Sequence, residues 1–439
     1  GESEKDFEET VKFFREAEFL FLHIFPYSIR PGTEAASMPN QLPRNIIRER
    51  TAALADIQRK ITEKRLNKMI NEEKPLDVLI ETVSCAGNTV VLSGHSPQFA
   101  EVKIPVSASI LHTLCEKENI RENINIPGFD GYEVLKCDFH IHTVFSDGRV
   151  WPDMRVNEAW QQGLDAIAIT DHIEYRPFKD MVIGDLNESY KIAKAHADYL
   201  GFIVIKGAEV TREKPIGHLN ALFINDANKL DQEDPVDALR EAKKQGAFIM
   251  WNHPGWPDDK STLYSIHEQL LKDKVIDGVE CFNFLEYYPI AFDYANKYNL
   301  AYMGNSDIHN LVTETYGGEK LARPITLVFS SERSEAGVKE ALFARRTAIL
   351  FNGVLAGKED ILRRLFLASV HLRMIENNSG YTELCNTSDL NYILLINNFQ
   401  YNLPANKTIR LQLPKEGKII VGNCYTGKDS RLEISLPLK

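Results

Sequence analysis

The residues able to do chemistry stand at the ends of apolar runs. His140-Ile141-His142 closes VLKCDFHIH, and because side chains alternate along a strand, positions i and i+2 face the same way. Two imidazoles can therefore reach one metal ion. Ser146-Asp147-Gly148 follows shortly. Thr170-Asp171-His172 ends DAIAIT, Glu209 ends FIVIKGAEV, Asn252-His253-Pro254 ends GAFIMWN, and Ser306-Asp307-Ile308-His309 ends LAYMGNSD. His218 instead begins HLNALFI. Only eight residues separate it from Glu209, too few for a helical crossover, so an antiparallel return is predicted that brings His218 to the same rim.

Six of the twelve histidines thus converge with three carboxylates. Imidazole and carboxylate without thiolate suit Zn²⁺, Mn²⁺ or Fe²⁺. The nine candidate ligands, His140, His142, Asp147, His172, Glu209, His218, His253, Asp307 and His309, exceed what one tetrahedral ion takes. Two or three divalent metals are expected, Zn²⁺ first, with Mn²⁺ or Fe²⁺ as alternatives. Such a cluster lowers the pKa of a bridging water and clamps both oxygens of an in-line displacement. Asp171 reads either as a direct ligand or as a group that orients a ligand imidazole or accepts a proton. With Glu209 and His253 it completes the catalytic candidates. Arg176 and Arg212 closely follow His172 and Glu209 and are the candidate substrate residues, each able to fork onto a phosphate. Trp251 and Trp256 flank His253; core packing is the expected role for both. His23, His95, His112, His196, His267 and His371 receive no role.

The runs that carry these residues are separated mostly by roughly 15 to 35 residues of helix-like pattern, the signature of repeated βα units and a largely parallel sheet or barrel. Folds of that kind collect reactive residues at one rim. Upstream, residues 5–18 read as a charged helix and FLFLHIF as a strand, before Pro26, Pro31, Pro39 and Pro43 interrupt regular structure. Residues 45–71 have the apolar spacing of one long amphipathic helix, with Glu49, Asp56 and Glu63 among its basic residues, so a solvated face is expected. LDVLIETV, TVVLSG and AEVKIPV, with a turn at Gly87-Asn88, predict a small β-module. Downstream, SVHLRMIE, YILLINN, TIRLQL, KIIVGN and RLEISL predict a β-sandwich-like appendix.

A length of 439 residues exceeds one ordinary domain of roughly 150. With 44% hydrophobic and 26% charged residues, the composition excludes disordered, collagenous and membrane classes. The net charge of −11 argues against broad attraction to nucleic acid or anionic lipid. Six scattered cysteines without a C-x-x-C pair suggest neither a disulfide framework nor a cysteine zinc site. The run Phe19–Phe25 falls far short of the ~20 residues of a spanning helix. No membrane segment or signal peptide is expected, and the expected location is cytoplasmic.

HIHTVFSDG, ITDH, a strand-terminal Glu, GH, NHP and SDIH, in this order, resemble the PHP family (polymerase and histidinol phosphatase), metal-dependent phosphoesterases with a distorted (β/α)7 barrel. The resemblance covers about residues 134–350 and includes RPITLVFSSERSEAGVKEALFARRTAIL. It implies that His140, His142, Glu209 and Asp307 hold one metal, that Glu209 bridges to a second held by His218 and His253, and that Asp147, His172 and His309 complete a third site. Some relatives carry His where this chain has Asp147. The implied reaction is hydrolysis of a phosphate ester by a metal-bridging hydroxide, on a small phosphorylated substrate or a nucleotide. An amidohydrolase-type hydrolase is the rival enzyme. That superfamily also begins with H-x-H but typically bridges its metals with Lys, whereas here Lys206 lies three residues before Glu209, on the opposite strand face.

The first hundred residues resemble something unrelated. HIFPYSIRPGTEAASMPNQLPRNIIRERTAAL, the charged helix and the β-rich segment are similar to the C-terminal part of radical-SAM tRNA methylthiotransferases acting on threonylcarbamoyladenosine, as far as the start of the TRAM β-barrel. The match fades near Val106 and lacks the C-x3-C-x2-C motif, so radical chemistry is not expected of it. A tRNA-binding accessory role is the second rival, with tRNA as a partner only if this fragment functions. The implied organisation is a methylthiotransferase-like fragment with a partial TRAM module at 1–106, a linker at 107–130, a PHP domain at 131–360 and a β-sandwich-like domain at 361–439. Gene fusion, or an error of assembly or gene calling, would join the two pieces near residues 107–127.

Overall fold

Ser3 opens the first helix, Glu4–Ala17, with a reciprocal cap: its hydroxyl accepts from Asp6 N and its own N–H donates to the Asp6 carboxylate. The long helix Arg44–Asn71 follows as expected. Its Arg59 pairs with Asp56 and Glu63, so much of its charge is answered along its own surface. FLFLHIF is not a strand. Gln58 and Thr62 of the long helix donate to the carbonyls of Phe19 and Leu20, and among the described residues no strand offers the segment a ladder. Strands β1 (Leu79–Ala86), β2 (Thr89–His95) and β3 (Glu101–Ser107) form an antiparallel sheet in that order, matching the predicted β-module; the Gly87-Asn88 turn lies outside the described residues.

The computed structural model describes residues 2–30, 32–71, 78–86, 89–96, 100–107, 121–316, 322–374, 381–414 and 416–436, and the chain divides into two units, Gly1–Ile120 and Arg121–Lys439. No helix among the described residues is long and apolar enough to cross a membrane.

The second unit opens with β4 (Glu133–Asp138), β5 (Ala166–Ile169) and β6 (Ile203–Thr211), mutually parallel, then β7 (His218–Leu222), antiparallel to β6 with Thr211 opposite His218. The short hairpin predicted from the Glu209–His218 spacing is therefore present. β8 (Phe248–Trp251) runs antiparallel to β7, β9 (Gly278–Asn283) runs parallel to β8, β10 (Glu286–Tyr287) is a brief antiparallel return, and β11 (Ala301–Asn305) is parallel to β9. Period-two alternation sorts the side chains. Leu135, Cys137, Phe139, Ala166, Ala168, Phe248, Met250 and Met303 form one buried cluster inside the curved sheet, capped by Val338, Ala341 and Leu342 of the helix Glu335–Phe343. Ile249, Trp251, Val279 and Cys281 point the other way and pack beneath Ala238, Leu239 and Phe292 of the outer helices.

No ladder joins β4 to β11 among the described residues. The gap is crossed just beyond their ends, where Ile141 and Ile308 form an isolated parallel bridge, His142 N donates to Ile308 O, and Asp307 N donates to His140 O. On the other side β4 pairs with β12 (Ile325–Ser330), which continues through β13 (Thr347–Phe351) and β14 (Val354–Gly357). The fold is mixed α/β, as expected.

The C-terminal segment begins with a helix, Glu359–Ser369, and then gives β15 (Val370–Met374), β16 (Thr382–Asn386), β17 (Tyr392–Ile396), β18 (Phe399–Leu403), β19 (Thr408–Leu411), β20 (Gly417–Tyr425) and β21 (Arg431–Leu436). These strands are not a detached appendix. β20 pairs with β14 and extends the same sheet, and Phe366, Tyr392 and Leu394 share one core with Val134, Ile167 and Leu327. The linker expectation for 107–130 also shifts. Residues 108–120 lie outside the described residues, but Ile126 and Phe129 are buried in that core, and Asn125 exchanges hydrogen bonds with Asp389.

Candidate metal centre

β6 alternates Ala208 and Val210 outward toward the helices, so Glu209 between them points inward, fully buried. It is the hub of the site. Its Oε2 lies 3.4 Å from His140 Nε2, 3.3 Å from His142 Nε2 and 2.9 Å from His172 Nδ1, while Oε1 lies 2.9 Å from His218 Nδ1 and 3.9 Å from His253 Nε2. Asp307 Oδ1 stands 3.2 Å from His140 Nε2 and 3.0 Å from His142 Nε2; Asp307 Oδ2 is 3.8 Å from His253 Nε2. Asp147 Oδ1 approaches His309 Nε2 at 3.2 Å and His172 Nε2 at 3.4 Å.

All nine sequence-derived ligand candidates are thus brought together. Their donor atoms fall into four overlapping sets: His140, His142 and Glu209; His140, His253 and Asp307; Glu209, His218 and His253; and His142, Asp147, His172 and His309. The last set adds His142 to the three residues expected there. A direct test of fit comes from the polar atoms. His142 Nε2, Asp147 Oδ1, His218 Nδ1 and Asp307 Oδ1 are buried without a hydrogen-bond partner, although each lies close to others of the cluster. Buried ligand-type atoms drawn together in small sets and left without hydrogen bonds are what bound divalent cations would satisfy. His253 and Asp307 also hold positive φ, 21° and 50°, an uncommon backbone region for residues other than glycine.

Burial and the charges of its own members set the titration of the cluster. Burial would raise the Glu209 carboxyl, but His172 and His140 hold it well below its ordinary range. Burial, together with the His172 and His309 charges, pulls His142 down to about 3, so its imidazole is neutral. Burial opposes charge on His172 as well, yet Glu209 and Asp147 outweigh it and push its pKa up to about 10.

Several supporting residues were not foreseen. Glu280, inward between Val279 and Cys281 on β9, accepts from His140 Nδ1 at 3.0 Å, from His253 N at 2.8 Å, and from the Asn283 and Asn305 amides. That bond fixes a proton on His140 Nδ1 and turns Nε2 to the cluster. Asn252 donates to Glu209 Oε1 at 3.1 Å and to Asn220 Oδ1. A sequence signal was present for Glu280 and Asn220, each a polar residue inside a largely apolar strand, whereas Asn252, Asn283 and Asn305 stand at or just past strand ends. Gly148 is required by contact, because a Cβ there would sit 2.6 Å from the His142 carbonyl carbon.

Other expectations are corrected. Asp171 accepts from Thr143 N, Thr143 Oγ1 and Ser146 Oγ and is outside every ligand set, so it fixes the loop after His142 rather than ligating. Arg176 donates to the carbonyls of Phe145, Ile183 and Gly184 and does not line the cavity above the cluster. Its closeness to His172 in sequence does not aim it at the site. Arg212 does line that cavity, but its guanidinium is engaged by Thr211 O, Gln232 O and Glu174. Trp251 is buried as expected, packed on His267 at 4.1 Å, whereas Trp256 is half exposed and forms part of the cavity wall. The cavity measures about 1160 Å³, with His172, His218, His253, Asp307, His309 and Asp147 along its floor.

Two stretches of the chain are similar to different known proteins. A two-domain protein from Bacteroides vulgatus, described as containing a predicted PHP-like metal-dependent phosphoesterase, is 40% identical in sequence, with a TM-score of 0.68, over 72% of this chain and 98% of that one. The N-terminal region matches tRNA-modifying enzymes. The threonylcarbamoyladenosine tRNA methylthiotransferase MtaB of Chlamydia pneumoniae is 36% identical over 110 residues, 25% of this chain and 25% of that protein. The tRNA-2-methylthio-N(6)-dimethylallyladenosine synthase of Tropheryma whipplei is 44% identical over 80 residues, 18% of this chain and 17% of that protein. This chain spans a quarter or less of the length of those two relatives. The family model for the PHP domain matches residues 138–402. Since that span exceeds half of the 439 residues, and takes in all nine clustered candidates, the chain belongs to the PHP domain family.

Proposed function

We propose that the chain hydrolyses phosphate esters with two or three divalent cations held by the nine clustered residues. The observation that carries this reading is the convergence of imidazoles and carboxylates, four of their buried atoms unsatisfied, with six of the nine residues lining one cavity. When bound, the cations supply the Lewis acidity that activates water and neutralises phosphoryl oxygens. The chain's own residues do the positioning. Glu280 sets the His140 tautomer, Asn252 fixes one Glu209 oxygen, and Asp171 holds the loop that carries Asp147. Asp147 and His309, partly open to the cavity, stand nearest to an incoming ester.

The amidohydrolase alternative lacks its usual lysine: Lys206 Nζ donates to Asn225 O and lies over the Tyr190 ring. Metal quantification on the purified chain, followed by parallel panels of phosphate esters and amides, tests the proposal. Two or three metal equivalents with ester turnover are expected. Amide turnover alone, or full activity without metal, would sink it.

A second reading concerns residues 1–106 only. Their similarity to tRNA methylthiotransferases supports contact with tRNA, although so short a match carries none of the relatives' chemistry. Salt-dependent tRNA binding by the chain is the expected sign, and no binding at low salt removes the reading.

A further inference from the structure

We propose that Arg323 and Asp138 are positioning residues for the metal cluster: their buried ion pair fixes the spacing of His140 and Asp307, which come from opposite sides of the β4–β11 gap. The inference rests on the metal-dependent reading above and concerns two residues outside every ligand set. Asp138 closes β4 and is fully buried. Its Oδ1 accepts from His140 N at 3.2 Å and from Ser306 N at 3.1 Å. One oxygen thus holds the amide of one candidate ligand and the amide beside another. Its Oδ2 accepts from Ser306 Oγ and, at 2.7 Å, from Arg323 Nη2, which also donates to Ser306 Oγ at 3.1 Å. Arg323, itself buried, is braced through Nη1 on Gln162 Oε1, just past the helix Pro152–Gln161.

Strand pairing does not set this spacing, since no ladder joins β4 to β11 among the described residues. Two other bonds cross nearby, Asp307 N to His140 O and Phe139 N to Asn305 Oδ1, each at 2.9 Å, and neither engages the amides of His140 and Ser306. Those amides depend on Asp138. A carboxylate so deep is tolerated only when paired, and removing its cation leaves an uncompensated buried charge that must turn toward other donors. The consequence falls on His140 Nε2 and Asp307 Oδ1, which stand 3.2 Å apart, in a kind of site that tolerates roughly 0.2 Å of error in ligand distance. Two of the four sets, Glu209 with His218 and His253, and His142 with Asp147, His172 and His309, contain neither residue. Loss of the pair should therefore weaken one ion and spare the rest.

Titration of the full chain with Zn²⁺ against a chromophoric chelator resolves the equivalents one by one. In R323M the apparent Kd of a single equivalent should rise by at least about tenfold while the others stay as in the parent chain. R323K, which returns a cation toward Asp138, should recover most of the loss. Equivalents that all weaken together in step with the unfolding midpoint, or an unchanged profile, overturn the positioning role and leave the phosphoesterase reading intact. Should R323M not fold, S306A removes the hydroxyl between Asp138 and Arg323 but neither charge, and it must weaken that same equivalent alone; an unchanged profile overturns the proposal. If the parent chain takes up no Zn²⁺, the phosphoesterase reading is what fails, and amide hydrogen exchange decides the pair. Protection should then be lost in R323M or S306A over 138–142 and 304–308 and kept over 248–253; uniform loss, or none, overturns it.

Discussion

Glu209 approaches five imidazoles, and Asp147 approaches three, at the more open side of the cluster. Gln at 209 removes the negative charge and turns one ligand oxygen into a donor, so every set that includes Glu209 is disabled. Partners that merely orient metal ligands typically cost about 10- to 100-fold when removed, so E209Q should lower activity by more than about 100-fold and D147N by less. Steady-state rates and metal content on both variants decide this; equal, mild effects would mean Glu209 is not shared between ions. The His172 pKa of about 10 gives a second expectation. At neutral pH the metal-free imidazole carries a proton, which a metal must displace. Uptake should therefore release protons, and apparent affinity should rise with pH by up to about tenfold per unit for each proton displaced. Zn²⁺ calorimetry in buffers of differing ionisation enthalpy reads the proton count; none released at pH 7 contradicts it. Most of the candidate ligands were legible because they stand at or just beyond strand ends, where period two fixes direction, whereas Asp147 lies in a turn that only its nearness to His142 in sequence marks out. Glu280 was harder to read, because inward parity on β9 becomes meaningful only once His140 is known to lie opposite.

At the scale of elements, the weak place in the sheet is the junction of β4 and β11, and a buried arginine holds it. Arg155, on the helix Pro152–Gln161 and 1% exposed, donates through Nε to His142 O at 2.9 Å and through its two terminal nitrogens to the carbonyls of Ile308, His309 and Asn310. It thus ties the segment bearing His142 to the one bearing Asp307 and His309. Methionine would fill much of the space but leave those carbonyls unpaired, so R155M should destabilise the fold by about 3 kcal/mol or more, with R155K recovering only part. Denaturant unfolding measures this; a loss under about 1 kcal/mol would assign closure to the Asp138–Arg323 pair instead. The alternation of strands and helices and the β6–β7 return could be read from spacing alone. The closure could not, since Arg155 looks in sequence like any surface residue of an amphipathic helix. FLFLHIF failed as a strand for the converse reason: its pattern suits a strand, but pairing depends on a neighbour that local pattern does not reveal.

At the scale of the whole molecule, sequence texture put boundaries where turns and composition change, while the core ignores both. Phe129 lies 4.7 Å from the Phe329 ring, Ile126 is buried beside it, and Asn125 and Asp389 exchange two hydrogen bonds across 264 residues of chain. A chain starting at Arg121 keeps all of these. One starting at Gly131 loses two buried side chains, at about 2–5 kcal/mol each, and both hydrogen bonds between Asn125 and Asp389. A cut after residue 360 is worse. It removes Leu362, Leu365, Phe366, Tyr392 and Leu394 from a core they share with β4, β5 and β12, and strips β20 from β14. Residues 121–439 alone should therefore fold cooperatively and bind metal as the full chain does, residues 131–439 should unfold at markedly lower denaturant, and residues 121–360 should not give a folded protein. Metal content and unfolding midpoints of the three products test this. A stable, metal-binding 121–360 fragment would show that the C-terminal strands are an appendix after all, and that the sheet carrying the candidate ligands needs no strand beyond β14.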